Sequence, residues 1–345
     1  MIRESKPLRV GIVGSGFGAT VHLPAFCAHE RFAVVALASP TKASQLARER
    51  SIPHAFSSCA EMLEGVEVDV VSVTSPPFQH HADVLAALTH GKHILCEKPF
   101  AHTVRQAEEM HAAAQRSGRV CALAFEFRYV PSLIAMRELI VNEHLGPLRR
   151  IEITNCNAKL RASKETVPSS WWFDREKGGG VANAYMPHFF DQALWFAGRA
   201  PARAMGFVRT ANPQRRHGNQ TFVNTAGDGA FALLDFGEGL AAMVNTDMTG
   251  VKESSLLAVH GEARTVVSSG RSVHDLTTFA VDEDETAELT LRASAHAKLA
   301  AVHRSIPFFM ELLDDFVRAI DGKANALPTF ADGLAVQRCL EAIGY

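Results

Sequence analysis

Apolar stretches rich in β-branched residues alternate with stretches of helical period along the first third of the chain. The strand-like stretches read LRVGIV, FAVVALA, VDVVSVT, HILC and VCALAF, and the helical ones include 19–29, 43–50, 80–90 and 104–117. Near-continuous hydrophobicity is typical of strands that are covered by helices on both faces. The alternation therefore predicts an α/β fold with a parallel, doubly wound sheet.

The pattern changes after about residue 126. A helical stretch, PSLIAMRELIVNEHLG, precedes a strand-like IEITNCNA, and a second helix is expected around 189–196. Runs such as GAFALLDF, GLAAMVNT and SLLAVHG follow, separated by turn signals, and a closing helix is expected over 307–320 with a short tail helix after it. This half predicts an α+β domain with an open, mostly antiparallel sheet.

Length and charge limit what the chain can do. Its 345 residues, 47% of them apolar, exceed the usual size of one core, and we expect two domains, 1–125 and 126–345. Lys and Arg number 35 against 37 Asp and Glu, a formal charge of -2, so no overall field attracts nucleic acid or anionic lipid. We expect a small-molecule substrate and neither a nucleic-acid nor a membrane partner.

The six cysteines are scattered without CxxC spacing, which favours reduced, mostly core thiols. The opening MIRESKP is polar and lacks a signal-type apolar segment, and no run reaches the roughly 18 apolar residues of a membrane span. These observations predict a cytoplasmic protein.

A glycine motif follows the first strand and precedes a helix. It reads Gly14-Ser15-Gly16-Phe17-Gly18-Ala19. Gly14 permits a tight turn, Gly16 lets a pyrophosphate approach the backbone, and Ala19 allows close packing of helix on strand. The motif alone is a weak signal, since a glycine-rich structural turn reads the same, but in this βαβ context it predicts a dinucleotide site.

The second strand lacks the acidic residue that usually contacts the adenosine ribose. It ends Ala38-Ser39-Pro40-Thr41-Lys42, with no carboxylate between Arg31 and Arg48. The side chains of Ser39, Thr41 and Lys42 can donate to a 2′-phosphate, so NADP is favoured over NAD. In the alternative, Lys42 is only a solvated residue at a helix start.

An ordered set of motifs makes nearly the whole chain resemble the Gfo/Idh/MocA oxidoreductases, which include glucose-fructose oxidoreductase and inositol dehydrogenase. The motifs read GSGFGATVHLPAF, TSPPFQHH, HGKHILCEKPFA, FEFRYVPS, GGGVANAYMPHFFDQALWFAG and FVRAIDGKANALPTFADGL. The resemblance implies an N-terminal Rossmann domain, a C-terminal open-sheet domain with the substrate site, and hydride transfer at C4 of a nicotinamide. It also implies that the nucleotide site extends to Thr74, Ser75, Pro76, His80, Glu97 and Lys98.

Glu97-Lys98-Pro99 matches the family's EKP motif, whose lysine contacts the substrate near the nicotinamide. An ammonium in a partly dry cleft can bind the substrate oxygen and stabilise a developing alkoxide. Lys98 is therefore the main catalytic and substrate-binding candidate, against the alternative of a solvated lysine at a strand end. Either isomer of the Lys98-Pro99 bond is compatible with the sequence.

The chain departs from the family in a second motif, which commonly has an aspartate followed four residues later by a histidine. The histidine is His188, but Ala184 takes the aspartate's place. A methyl group cannot accept a proton, and positioned acid-base groups contribute roughly 10² to 10⁴ in rate. The expectation is that Lys98 and His188 share the work, with the Tyr185 hydroxyl as the best substitute. In the alternative, His188 is a core histidine.

Three further residues are candidates for substrate contact. Trp171 and Trp172 offer flat faces that suit the C–H face of a sugar ring, or else they plug a loop. Arg128 matches a family arginine that more often pairs with a carboxylate than binds substrate.

The His80-His81 pair and the His90-x-x-His93 spacing lack neighbouring carboxylates or paired cysteines, so we assign no metal.

The expected activity is NADP- or NAD-dependent oxidation or reduction of a secondary alcohol or carbonyl on a sugar, inositol or related cyclic polyol. Ala184 keeps two alternatives open: a redox-neutral enzyme that uses transient oxidation for elimination or glycoside cleavage, and a nucleotide-binding sensor. Lys98 and His188 argue against the sensor. The apolar residues of FALLDF and AAMVN can bury one sheet face against another subunit, so a homodimer or homotetramer is expected.

Overall fold

The protein is described by a computed structural model that covers residues 6–162, 170–283 and 285–345. The strands are β1 (Leu8–Val13), β2 (Phe32–Ala38), β3 (His54–Phe56), β4 (Val70–Val73), β5 (His93–Cys96), β6 (Cys121–Leu123), β7 (Leu148–Cys156), β8 (Arg203–Arg209), β9 (Gln214–His217), β10 (Gln220–Val223), β11 (Gly229–Gly237), β12 (Leu240–Asp247), β13 (Ser254–Gly261), β14 (Thr265–Gly270), β15 (Leu276–Val281) and β16 (Thr286–Glu288). The helices are α1 (Leu23–Ala28), α2 (Ala43–Arg50), α3 (Cys59–Gly65), α4 (Pro77–Thr89), α5 (Val104–Ser117), α6 (Pro131–Val141), α7 (Gly180–Ala197), α8 (Ile306–Ile320) and α9 (Phe330–Ala342).

The chain forms two compact units. The first contains residues 6–126 and Ser294–Leu334, and the second contains Phe127–Ala293 and Ala335–Tyr345. The six strands of the first unit pair in the order β3-β2-β1-β4-β5-β6, and every pair is parallel. All four residues of β4 are buried, as the near-continuous hydrophobicity predicts. The predicted doubly wound parallel sheet is confirmed.

The second unit is built on an eight-stranded sheet with the order β16-β15-β14-β13-β7-β12-β11-β8. Its neighbours are antiparallel except for the parallel pair of β12 and β7. The long helix α7 packs on β12, β11 and β7. Along β12, buried Leu240, Ala242 and Val244 alternate with more exposed residues, so this sheet has one covered face. The predicted mostly antiparallel domain is confirmed.

The segment Ser294–Leu334 belongs to the first unit, whereas the predicted second domain ran over 126–345. Helix α8 buries its apolar side there: the ring of Phe309 lies 4.2 Å from that of His22, and Phe316 stacks on Phe32. An amphipathic helix shows in its sequence which side is apolar, but it does not show which core that side will join. The chain therefore returns to the first unit and leaves it again within α9.

Three local features differ from the sequence-based expectations. A π-helical turn over Gly18–His22 replaces the first part of the helix expected over 19–29. Strand β3 and helix α3 were not predicted, and α7 begins at Gly180 rather than near 189. Across the parts of the chain that the structure describes, no helix is both long and apolar enough to cross a bilayer.

Candidate active site

The glycine loop leaves the carboxyl end of β1 and turns sharply at Gly14, where φ is +114°. A Cβ on Gly14 would lie 2.3 Å from the Thr74 carbonyl oxygen, and one on Gly18 would lie 2.1 Å from the Thr74 hydroxyl. A Cβ on Gly16 would instead face open space, with nothing within 4 Å. Because the N–H groups of a first helical turn lack intrahelical partners, this open backbone is suited to a pyrophosphate.

The donors predicted to read the adenosine ribose lie beside this loop, at the carboxyl ends of β1 and β2. The Ser39 hydroxyl donates to that of Ser15 at 3.1 Å, and Ser39 is buried. Thr41 and Lys42 follow on the surface, just before α2. Dinucleotides bind at the carboxyl edge of open parallel sheets. The position and chemistry of Ser39, Thr41 and Lys42 therefore fit a nicotinamide dinucleotide.

The loop after β4 is held by hydrogen bonds from its own side chains. The Thr74 hydroxyl donates to the Val13 carbonyl at 2.7 Å, and the Ser75 hydroxyl donates to Asp83 at 2.6 Å. Burial raises the pKa of Asp83, and the bond from Ser75 acts against that rise. Pro76 then leads directly into α4.

His80, in the first turn of α4, joins this loop to the one after β5. The imidazole is buried, with Nδ1 3.0 Å from the Pro99 carbonyl oxygen and Nε2 2.7 Å from that of Ser75. Burial lowers the pKa of His80, while the two carbonyl oxygens and the charge of Glu97 act in the opposite direction. His80 thus ties together the two loops that flank the predicted nicotinamide position.

Glu97 and Lys98 follow β5 directly, and the Lys98-Pro99 peptide bond is cis. Glu97 is buried, and its Oε2 accepts a hydrogen bond from the Lys98 backbone N–H at 3.1 Å. Burial alone would raise the pKa of Glu97, but the hydrogen bond from His22 and the charges of Lys98, His22 and His80 lower it. Glu97 is therefore a buried carboxylate next to the half-buried Lys98.

Two residues of this cluster were not predicted from the sequence. His22 Nε2 lies 2.9 Å from Glu97 Oε1, and His22 Nδ1 lies 2.7 Å from the Ser72 hydroxyl. His22 ends the π-helical turn, and Ser72 lies in the buried strand β4. The available signal was a histidine four residues after Gly18 and a lone serine within an otherwise apolar strand.

Two candidates of the second unit, Tyr185 and His188, lie in the first half of α7. His188 lies one helical turn after the half-buried Ala184 and is itself buried, with its ring stacked on Phe127 at 4.0 Å between centroids and 18° between planes. Tyr185 is half-buried, and its hydroxyl accepts a hydrogen bond from Lys159 Nζ at 2.9 Å. A phenol and an ammonium therefore lie beside the position where the family commonly has an aspartate.

Trp171 and Trp172 form a short 3₁₀ turn that packs against the same helix start. A Cβ on Gly179 would lie 2.3 Å from the Trp172 carbonyl oxygen and 2.5 Å from that of Trp171. Trp171 is 37% exposed, whereas Phe173 in the same turn is buried. This turn therefore presents one indole to solvent and inserts its phenyl ring into the core.

Arg128 lies in a buried bidentate ion pair. Its Nε donates to Asp191 Oδ2 at 2.8 Å and its terminal nitrogen donates to Oδ1, and the guanidinium also lies 5.7 Å from the centroid of Trp195. Two of its donors are thereby used within the protein. The carboxylate pairing is the alternative that the sequence left open for this arginine.

The histidines whose spacing suggested a metal have separate partners. His81 contacts Glu109 at 2.7 Å, His90 contacts the Ala86 carbonyl, and His93 accepts from the Val120 N–H. Within residues 6–162, 170–283 and 285–345, no three His, Cys, Asp or Glu side chains are grouped in a way that could hold a metal ion.

Two family models match the chain. One, described as "Oxidoreductase family, NAD-binding Rossmann fold", matches residues 8–125, and the other, the GFO/IDH/MocA C-terminal domain, matches residues 133–267. D-glucoside 3-dehydrogenase of Escherichia coli (strain K12) is 30% identical over 74% of this chain and 74% of its own. The NADP(+) scyllo-inositol 2-dehydrogenase of Bacillus subtilis (strain 168) is 30% identical over 54% of each chain.

A solved structure of levoglucosan dehydrogenase, in complex with NADH and levoglucosan, has the same fold. It matches 98% of this chain and 96% of its own with a TM-score of 0.85, at 22% sequence identity.

Proposed function

Because the chain belongs to the Gfo/Idh/MocA family of NAD(P)-dependent oxidoreductases, we propose that it transfers a hydride between the nicotinamide and a carbinol or carbonyl carbon of a sugar, inositol or related cyclic polyol. The observation that carries this proposal is the position of Lys98. Its backbone is held by the Glu97 carboxylate directly after β5, at the carboxyl edge of the sheet that also carries the glycine loop. The similarity to enzymes named for a glucoside and an inositol supports the substrate class.

The bound nicotinamide supplies the hydride acceptor or donor. When an alcohol is oxidised, its carbon loses a hydride and its oxygen loses a proton. In this proposal the Lys98 ammonium donates a hydrogen bond to that oxygen and stabilises the developing negative charge. His188 takes the proton, and it returns the proton when the reaction runs as a reduction.

Ala184 removes the carboxylate that commonly assists this histidine, so another group has to orient the substrate. Tyr185 lies next to Ala184, and its hydroxyl accepts from Lys159, which leaves the phenolic proton available to a substrate oxygen. The exposed Trp171 gives the same end of α7 a flat apolar face for a sugar ring. We assign Tyr185 to hydroxyl contact, and Trp171 with Trp172 to ring contact.

NADP is the preferred cofactor in this proposal. The loop after β2 carries the hydroxyls of Ser39 and Thr41 and the exposed ammonium of Lys42, without a carboxylate to repel a 2′-phosphate. A relative named for NADP supports this choice, and the NADH complex of the solved levoglucosan dehydrogenase keeps NAD as the second candidate.

An apolar patch in the second unit supports a homodimer. Met205, Phe207, Leu233 and Met243 are each 47% to 59% exposed on β8, β11 and β12. Leu233 pairs across the sheet with both Met205 and Met243, so these side chains share one face, where Phe207 also stacks on Phe231. Because contiguous exposed apolar faces of this kind mark interaction sites, we propose that a second copy of the chain covers this patch through a two-fold contact.

The activity is tested by the absorbance of reduced nicotinamide. Purified protein is mixed with NADP or NAD and a panel of glucosides, anhydrosugars and inositols, and with the reduced nucleotides and keto-sugars. The proposal predicts substrate-dependent absorbance change, larger with the phosphorylated nucleotide. Tight nucleotide binding without net change on any panel member, together with elimination or cleavage products by mass spectrometry, would replace it with the redox-neutral reaction.

A further inference from the structure

Three buried polar side chains form a hydrogen-bonded chain behind the Lys98 loop. His22 Nδ1 is 2.7 Å from the Ser72 hydroxyl, and His22 Nε2 is 2.9 Å from Glu97 Oε1. His22 and Ser72 are fully buried, and Glu97 is 6% exposed. Because a carboxylate oxygen only accepts, the Nε2–H donates to Glu97, and Nδ1 lies within hydrogen-bond distance of the serine hydroxyl.

The order serine, histidine, carboxylate is also that of hydrolytic triads, in which the serine attacks a substrate. That role needs a serine that a substrate can reach, and Ser72 has no exposed surface in the middle of the buried strand β4. The hydrogen bonds from Ser72 through His22 to Glu97 instead end next to Lys98. Glu97 Oε1 accepts a hydrogen bond from His22, and Glu97 Oε2 accepts one from the Lys98 backbone N–H.

His22 also contacts the nucleotide loop. It ends the π-helical turn that begins at Gly18, and its ring makes an edge contact with Phe17 of the glycine motif at 5.9 Å between centroids. On another side it packs on Phe309 at 4.2 Å. One side chain therefore touches the glycine loop and the carboxylate that holds Lys98.

We propose that His22 is a positioning residue that couples the dinucleotide loop to Lys98: it orients Glu97, and Glu97 in turn fixes the backbone and the charge of Lys98. The proposal rests on the role assigned to Lys98 above. It adds His22 as the residue through which nucleotide binding at the glycine loop affects that lysine. Supporting side chains of this kind often matter nearly as much as the groups they orient.

The charges around Glu97 show what the loss of His22 would do. The groups that lower the pKa of Glu97 are His22, Lys98 and His80, and burial opposes them. Loss of the His22 donor removes one of the causes that lower this pKa, so the pKa of the Glu97 carboxyl rises. The carboxylate that accepts from the Lys98 backbone N–H is then no longer held in place by His22.

The test uses the pH dependence of Lys98 acetylation by acetic anhydride, measured by mass spectrometry on the full chain, because only the free amine reacts. We expect His22→Phe to change the labelling of Lys98 at a fixed pH by roughly 3- to 10-fold. Glu97→Gln should do the same, and the double variant should shift the profile no further. This measurement needs no substrate, so its result is independent of whether the proposed activity is correct.

His93→Phe is the matched control. His93 is a half-buried histidine that begins β5, the strand that Glu97 and Lys98 follow. This variant should leave the Lys98 profile unchanged. His22→Gln retains an N–H donor and should preserve most of the wild-type profile, and it serves in place of His22→Phe if that variant does not fold by near-ultraviolet circular dichroism.

Coupling to the nucleotide loop gives a second readout. Adding NADP should change the rate of Lys98 labelling in the wild type and in His93→Phe, and this response should be several-fold smaller in His22→Phe. Identical profiles and identical nucleotide responses in wild type and His22→Phe would overturn the proposal, as would additive shifts in the double variant.

Discussion

The guanidinium of Arg128 donates two hydrogen bonds to the carboxylate of Asp191, and both side chains are buried in the second unit. Asp191 lies three residues after His188 on α7, so the pair anchors the helix that carries the candidate proton relay. Arg128 thereby acts first as the counter-charge of a buried carboxylate.

Breaking this pair on one side should be costly. Asp191→Asn removes the carboxylate charge that this buried guanidinium contacts, and we expect it to lower the free energy of unfolding by about 3 to 5 kcal/mol. The double variant Arg128→Met/Asp191→Leu removes both charges and should be clearly more stable than the single one. Urea unfolding followed by circular dichroism measures both. A loss below about 1 kcal/mol in Asp191→Asn would contradict a structural role for the pair.

Gly180 begins α7 in a conformation that only glycine adopts easily, with φ at +89°. A Cβ there would lie 2.7 Å from the Tyr345 hydroxyl and 2.8 Å from Ala226. We expect Gly180→Ala to lower the free energy of unfolding by about 2 to 4 kcal/mol, since left-handed strain and overpacking add.

Gly198, at the other end of the same helix, is the matched control. Its φ is +70°, but a Cβ there would meet nothing within 4 Å. Gly198→Ala should therefore show the conformational cost alone, about 1 to 2 kcal/mol. Equal losses in the two variants, measured by urea unfolding, would show that the contacts with Tyr345 and Ala226 do not matter.

The cofactor preference can be reversed at the end of β2. Ser39→Asp places a carboxylate where the proposed 2′-phosphate lies, and we expect the Kd for NADP to rise at least about 10-fold while that for NAD is kept or lowered. Isothermal titration calorimetry with both nucleotides measures the ratio.

Thr89→Asp supplies the control for that experiment, because it adds the same charge on an exposed residue at the carboxyl end of α4. Its nucleotide preference should match the wild type. An unchanged NADP-to-NAD ratio in Ser39→Asp would place the 2′-position elsewhere.

We expect the apolar patch on β8, β11 and β12 to be the interface of the proposed homodimer. Leu233→Lys puts a charge at its centre, and we expect the dimer to dissociate at micromolar concentration in light scattering coupled to size exclusion. Val141→Lys, on the exposed side of α6, changes an equally exposed apolar residue outside the patch and should remain dimeric. A dimeric Leu233→Lys variant would rule out this face as the interface.

The sequence predicted those strands and helices whose hydrophobic pattern follows directly from which of their faces are buried. The predicted strands of the first unit are mostly apolar, as is expected when helices cover both faces of a sheet, and α2 and α5 begin and end as their periodicity indicates. The glycine loop was predicted from its motif, and Gly14 has the positive φ that such a tight turn requires.

What the sequence did not show depends on long-range packing. Helix α7 is buried along most of its length and begins at the last of three consecutive glycines, so its first half has neither an amphipathic period nor a strong helix start. Its beginning is set by contacts with Tyr345 and Gly227 that are distant in sequence. His22 was missed for the same reason: a lone histidine on an apolar helix gives no sign that a carboxylate 75 residues away will accept a hydrogen bond from it.

The central claim is that Lys98 holds the substrate oxygen during hydride transfer, and the most direct measurement compares wild type with Lys98→Met on the best substrate of the panel. Nicotinamide absorbance gives kcat/KM, and fluorescence titration gives the Kd for the nucleotide. We expect kcat/KM to fall by at least about 10²-fold with the nucleotide Kd within about 3-fold, while Lys92→Met stays active. Turnover that survives Lys98→Met with kcat/KM near the wild-type value would contradict the account.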